Sequence, residues 1–256
     1  MESGFQTVVS SEVSAPALGF GGKLVNIFAN PESTFNSLKE KPNWLAPFGL
    51  FLAIVFLTGL IATPYVMESI KRDTITFVNS FGNMPEEAMA KIEASFEDVD
   101  ALSVGNIVKS ALGAILSRSI PMFIVVSIMY FVGTVVFGGT AKYKQLLAVY
   151  AWTLPIWALS ALVHLPLKIA KESYDISLSL AVFSAPDPLS SIHFLLKNIN
   201  IFNIWGVVVL GVGFATLYGF GKAKGIITLA VLWGMWVVFN SFVPFANFYM
   251  SIMGLT

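Results

Sequence analysis

The sequence predicts an all-α membrane protein: a bundle of five transmembrane helices, with amphipathic helices in its N-terminal tail and outer segments. Three observations predict it. Of 256 residues, 56% are hydrophobic and 12% are charged, against the ~25% charge of an ordinary soluble domain. Mean hydropathy is +0.77, and a folded body of this size has no way to hide that much apolar surface from water. Several apolar runs also reach the roughly 20 residues that cross about 30 Å of hydrocarbon at 1.5 Å per residue.

Five spans follow from the runs. The first covers about 45–66 and contains no charge; it starts just after Trp44, with Pro47 in the first turn, where a missing N–H costs little. It reads as a retained helix, because 44 mostly polar residues precede it, unlike the short basic start of a secretory signal. The second covers about 119–137, preceded by Arg118 near its end and opened by Pro121. The third covers about 145–167 and holds Pro155, read as a kink, and His164. The fourth and fifth cover about 199–219 and 225–243.

The segments outside the spans divide by composition. Residues 1–22 are rich in Ser, Ala and Gly without periodicity, which predicts a disordered tail. Residues 23–44 form an amphipathic segment: Leu24, Ile27 and Phe28 share one helical face, Asn30 caps a second short helix with Pro31 at its first position, and Phe35 and Leu38 follow. Such a segment lies along the membrane surface or packs on the protein's own loops. The 67–118 segment is acidic. Pro85-Glu86-Glu87 has the composition of a helix start, Met89, Ile92 and Phe96 form a stripe, and Val104 to Ile115 carry a second periodic face. Together they predict a helical hairpin over the outer mouth of the bundle, its acidic face serving solubility or docking. Ala185-Pro186-Asp187-Pro188 predicts a turn into an interfacial helix with Leu189, Ile192, His193 and Leu196.

Charge flanking the spans sets the orientation. The two short loops carry Lys142 with Lys144 and Lys222 with Lys224, and no acid, whereas the two long segments hold eight basic and eleven acidic residues. The short loops decide, so the N-terminus is expected in the cytoplasm and the C-terminus outside. These lysines hold the orientation against anionic lipid or meet a partner.

Much chemistry is excluded at this stage. A balance of 15 basic and 15 acidic residues gives no footprint for nucleic acid. The absence of cysteine removes disulfides, thiolate zinc sites and cysteine nucleophiles, and two histidines make a histidine-rich metal centre unexpected. No Asp or Glu falls inside a span, and no nucleophile elbow or phosphate-cradling glycine loop is present. No catalytic residue, metal or cofactor is therefore expected. The spans offer packing instead. Gly211, Ala215 and Gly219 recur every four residues and let another backbone approach, from an internal helix or another subunit. Trp205 and Tyr218 mark the ends of that helix, while Trp152, Trp157, Trp233 and Trp236 are read as core filling. A small transporter or channel is the rival reading; it requires a polar path lined by Thr134, Thr153, Ser160, Thr216 and Asn240.

Three stretches carry a family resemblance. They are Phe28-Ala29-Asn30-Pro31-Glu32-Ser33-Thr34-Phe35 with Trp44-Leu45-Ala46-Pro47; Gly138-Gly139-Thr140-Ala141-Lys142-Tyr143-Lys144-Gln145-Leu146-Leu147 with Tyr150-Ala151 and Pro155; and Ile204-Trp205-Gly206 with Gly211-Val212-Gly213 and Lys222-Ala223-Lys224-Gly225. In this order and with five spans, the chain resembles the Yip1 family in its bacterial form. The resemblance marks Asn30, Pro31, Pro155 and Trp205 as motif positions. It implies a helical membrane domain with a cytosolic N-terminus and no known catalytic residues. Eukaryotic relatives act in vesicle traffic and bind small GTPases; the Asp-Leu-Tyr-Gly-Pro type element of that branch is not matched here, and that role is not carried over. For bacterial members the resemblance implies an accessory or scaffold role in the inner membrane, beside another integral membrane protein or complex such as an ABC-type exporter. The expected partners are thus membrane lipids and such a complex.

Overall fold

The computed structural model describes residues 18–79, 85–97, 102–174, 176, 178–184 and 190–252. Most of the expected disordered tail, the 185–188 turn with Leu189, and Asp98 and Asp100 lie outside the described residues. The architecture is all α-helical, and five helices are long and apolar enough to cross a membrane. The connections 137–144 and 219–222 lie at one end of the bundle, here the near end, and the described parts of the long connections lie at the other, the far end.

Two short helices come first, α1 (Phe20–Ala29) and α2 (Pro31–Leu38). The chain breaks at Asn30 because Pro31 has no N–H to donate, yet Pro31 suits the first position of a new helix. Asn30 occupies the cap position without making a side-chain cap bond; its backbone N–H closes α1 on the Asn26 carbonyl at 2.8 Å. The Thr34 hydroxyl donates to the Lys23 carbonyl at 3.2 Å and ties the pair together. Ile27, Phe35 and Leu38 are fully buried. The pair is seated on the helices that carry Val149 and Gly213, and it also meets the short loops through Glu32–Lys222 and the Lys39 carbonyl bonded by Gln145.

The first span belongs to α3 (Leu45–Asn79), 35 residues long, or about 52 Å at 1.5 Å per residue. It continues past its apolar run through Glu68, Lys71, Arg72 and Asp73 as a stalk at the far end. There α4 (Glu86–Glu97) packs on it. Two acids in its first turn favour α4, and Lys91 pairs with Glu87 at 2.7 Å.

The second span corrects the sequence reading. Instead of a hairpin arm followed by a span opened at Pro121, one helix, α5 (Val104–Phe131), runs on into a π-helical turn, Val132–Val136. Its start is capped by the Ser103 hydroxyl, which accepts from the Asn106 N–H at 3.4 Å. Pro121 sits inside it, where it removes one backbone hydrogen bond without ending the helix. The helix-forming run around Ala111, Leu112, Ala114 and Leu116 carries through Arg118.

The third span, α6 (Tyr143–Lys171), is the central post and packs on α1, α2, α3, α5 and on the fourth span. Of its most apolar stretch 61% is buried, against 22% for α5. Pro155 and Pro166 are both contained within this unbroken helix. Beyond it, α7 (Ser191–Asn198) is capped by Ser190 and packs on the last helix. The fourth span, α8 (Ile201–Tyr218), starts on an Asn200 cap and stops at Gly219, whose φ of 70° is a left-handed conformation that glycine adopts without strain. The fifth, α9 (Lys222–Ile252), returns alongside α8.

Candidate functional site

The sequence-predicted small-residue face turns inward. A Cβ on Gly211 would lie 2.5 Å from the Ile226 Cα and 3.1 Å from the Gly225 carbonyl oxygen, so α8 and α9 meet backbone to backbone there. Gly225 in turn packs on Gly211 and Ala215. Gly219 takes no part in this contact: nothing stands within 4 Å of a Cβ at that position, and its role is to end the helix. The partner of this face is therefore an internal helix.

Two further glycines of α8, Gly206 and Gly213, carry packing that the sequence reading left unassigned. Gly206 faces the Trp157 ring at 2.6 Å from its built Cβ, and Gly213 faces Val149 at 2.5 Å and Phe35 at 3.0 Å. Phe35 enters the bundle because Gly213 leaves its seat open. The signal was their spacing of seven, which places both on one helical side two turns apart. Trp205 meets Phe28 edge-on with ring centroids 5.4 Å apart, so it holds α1 as well as marking the end of a span. Trp152 is buried under Phe20, at 5.2 Å, and donates its Nε1–H to the Asn43 carbonyl at 2.9 Å. Trp157 donates to Asn203 Oδ1 at 3.0 Å. Trp236 departs from the core-filling expectation: it is 54% exposed on α9. Pro155 is buried within the central post.

The four loop lysines separate into two kinds. Lys222 forms an ion pair with Glu32 at 2.6 Å, tying α9 to α2. Lys224 lies over the rings of Phe137 and Phe220, at 4.2 and 4.0 Å from their centroids. Lys142 and Lys144 are exposed at the start of α6, where the Gln145 side chain accepts from the Lys142 N–H at 2.8 Å and donates to the Lys39 carbonyl at 2.6 Å. Tyr218 lies against Gly133 and Gly139 and bonds with Thr134 at 3.1 Å, a fastening across the near end. Lys23 lies 5.8 Å from the centroid of the Trp152 ring. Burial, and secondarily Lys41, push its ammonium below the ordinary value of 10.5.

Helices α3, α5, α6 and α9, with part of α8, border a half-open cavity of about 1620 Å³. Its near part is apolar, with Phe48, Phe51, Val125 and Met129 on the wall. Its far part carries Asn106, Lys109, Ser160, His164, Lys168 and Asn203, and Arg118 and Tyr150 stand between. No Asp or Glu is among the described residues of the lining. His164 is bound locally: Nδ1 lies 2.7 Å from the Ser160 carbonyl, and Nε2 accepts the Leu178 N–H at 3.2 Å, contacts that the Nδ1–H tautomer satisfies together. Among the described residues no group of three His, Asp or Glu could hold a metal ion.

Arg118 is the second correction. It lies 14 residues after Val104 and 18 before Val136, well inside a long helix rather than near the end of a span. Trp44, just ahead of α3, meets Phe123 with ring centroids 6.3 Å apart, which puts Phe123 level with the start of the uncharged run of α3. Arg118 is five residues farther along, ~7.5 Å toward the far end. Of the polar path expected for a transporter, Ser160 lines the cavity. Thr153, Thr216 and Asn240 bond instead to carbonyls one turn back on their own helices.

The model of the Yip1 domain matches residues 25–243, from within α1 to within α9. The chain is also similar to membrane protein YknW of Bacillus subtilis (strain 168), 23% identical over 227 residues, which are 88% of this chain and 90% of that protein. No solved structure matches it.

Proposed function

We infer the function from a premise now in place: the chain belongs to the Yip1 domain family and is an integral membrane protein. We propose that it is a non-enzymatic accessory or scaffold subunit that acts by contact with another membrane complex, an ABC-type exporter being the first candidate. It sits in a bacterial inner membrane with its N-terminus in the cytoplasm and its C-terminus outside, the near end carrying the short lysine loops that the positive-inside rule assigns to the cytoplasm.

The observation that carries this reading is the uneven burial of the spans. While α6 is a buried post, α5 and the π-helical turn after it leave Leu112, Leu116, Ile120, Ile124, Ile128 and Val135 uncovered along their length. Lipid covers such a stripe by default, and so does a partner helix, since lipid tails and apolar side chains compete on equal terms. Photo-crosslinking residues placed at Leu116 and Ile124, followed by purification in mild detergent, test it. One stoichiometric membrane partner supports the proposal. Recovery of the chain alone, together with ion flux in liposomes, refutes it. Orientation is tested by Lys142→Cys and Glu93→Cys: labelling of the second from the cytoplasmic side overturns the proposed topology.

The cavity is the one observation that favours a second reading, a small transporter. In that case reconstituted protein alone moves solute, and the α5 crosslinks yield lipid only.

A further inference from the structure

We propose that the cavity between α3, α5, α6 and α9 is a binding site for an anionic membrane phospholipid, its headgroup drawn in by Lys109 and Arg118 and its chains laid along the apolar wall toward Phe48 and Met129.

Size and polarity come first. At about 1620 Å³ the cavity exceeds the ~300–1,000 Å³ of ordinary small-molecule sites and suits a molecule with chains. Its lining changes along its length, apolar at the near part and cationic and amide-rich at the far part. An amphiphile has the same division.

Charge comes second. Lys109 lies 14 residues before Phe123, ~21 Å beyond the start of the uncharged α3 run. That run extends from Leu45 to Met67, so both cations stand beside it, Arg118 toward its start and Lys109 toward its far end. Neither has an ion-pair partner among the described residues. A cation at membrane depth is costly unless an anion or water meets it. The membrane supplies the missing anion in abundance, and a phosphate diester brings its own chains for the apolar wall. This assignment stands apart from the choice of protein partner.

Trp157, Trp233 and Trp236 line the cavity and provide the readout. The whole protein is placed in phosphatidylcholine nanodiscs containing a low fraction of lipid with brominated chains, either phosphatidylglycerol or phosphatidylcholine. Quenching of tryptophan fluorescence is expected to be stronger with the glycerol headgroup. The preference should fall by about fivefold for each cation removed, as for a basic residue facing anionic lipid. Arg118→Gln and the double variant Lys109→Gln/Arg118→Gln supply that comparison, each checked for native helix content. Lys142→Gln/Lys144→Gln, at the exposed loop, should leave the preference as it is. Equal quenching by the two lipids overturns the proposal, as does a double variant that keeps the full preference, or a loss confined to the loop variant. Abolition of the preference by excess inorganic phosphate would assign the site to a free anion instead.

Discussion

Replacing Gly211 with alanine adds one carbon where α8 and α9 already touch. That carbon would stand 2.5 Å from the Ile226 Cα, 2.9 Å from its nitrogen and 3.1 Å from the Gly225 oxygen. Non-bonded carbons settle at ~3.5–4.0 Å, so the helices must part by about 1 Å at this level. Overpacking costs ~1–3 kcal/mol where side chains can yield. Here the obstacle is backbone, which places Gly211→Ala at the upper end, about 3 kcal/mol, and Gly211→Val beyond it. Two controls separate mechanisms. Gly221→Ala meets nothing within 4 Å and should stay within ~0.5 kcal/mol of the parent. Gly219→Ala also meets nothing but has a φ of 70°, so it should lose ~1–2 kcal/mol, with Gly219→Asn losing less. Reversible unfolding in mixed micelles, titrated with dodecyl sulfate and followed by helix ellipticity, measures all of them. If Gly211→Ala unfolds with Gly221→Ala, the close approach of the two helices does not hold in the membrane protein.

Three further outcomes are expected. Phe35→Ala empties the seat on Gly213 and should cost ~3–5 kcal/mol, visible as faster proteolysis of α1 and α2 while the spans stay protected. Lys222→Gln should cost less than ~1 kcal/mol, because its pair with Glu32 is largely solvent-exposed, and high salt should erase even that difference. Lys23 has a folded-state pKa below its unfolded 10.5, so folding there disfavours the charged form. Docking of α1 should therefore tighten as pH rises through the interval from the lowered value up to 10.5 and stay level below it. Hydrogen exchange of α1 against pH checks this, and Lys23→Met should remove the slope.

What was legible in the sequence was whatever depends on one segment at a time. Uncharged length gave the five spans, Asn30-Pro31 gave the break between α1 and α2, and the four-residue spacing of Gly211 and Ala215 gave the close contact. Gly219, on the same spacing, turned out to serve a turn, because periodicity does not register where a helix ends. The 104–136 helix was split in two because Arg118 and Pro121 look like a boundary when read singly. A helix whose polar heads face a cavity carries both. The docking of α1 and α2 was out of reach, since an amphipathic stripe has the same period whether it faces lipid headgroups or a groove between helices. The cavity was hidden for a related reason: Lys109, Arg118 and Lys168 come from two helices, and their meeting depends on rotations about axes that no local pattern encodes.

The fastening of Tyr218 against Gly133 and Gly139, with Lys222 on Glu32 and Gln145 on Lys39, has a mechanical consequence. These clasps join three helix connections and the N-terminal pair at a single end, so the five rods resemble tongs gripped at the hinge. The far end is braced separately, where the Ser69 hydroxyl accepts the Tyr174 N–H at 2.7 Å, so spreading the rods there would first break that bond.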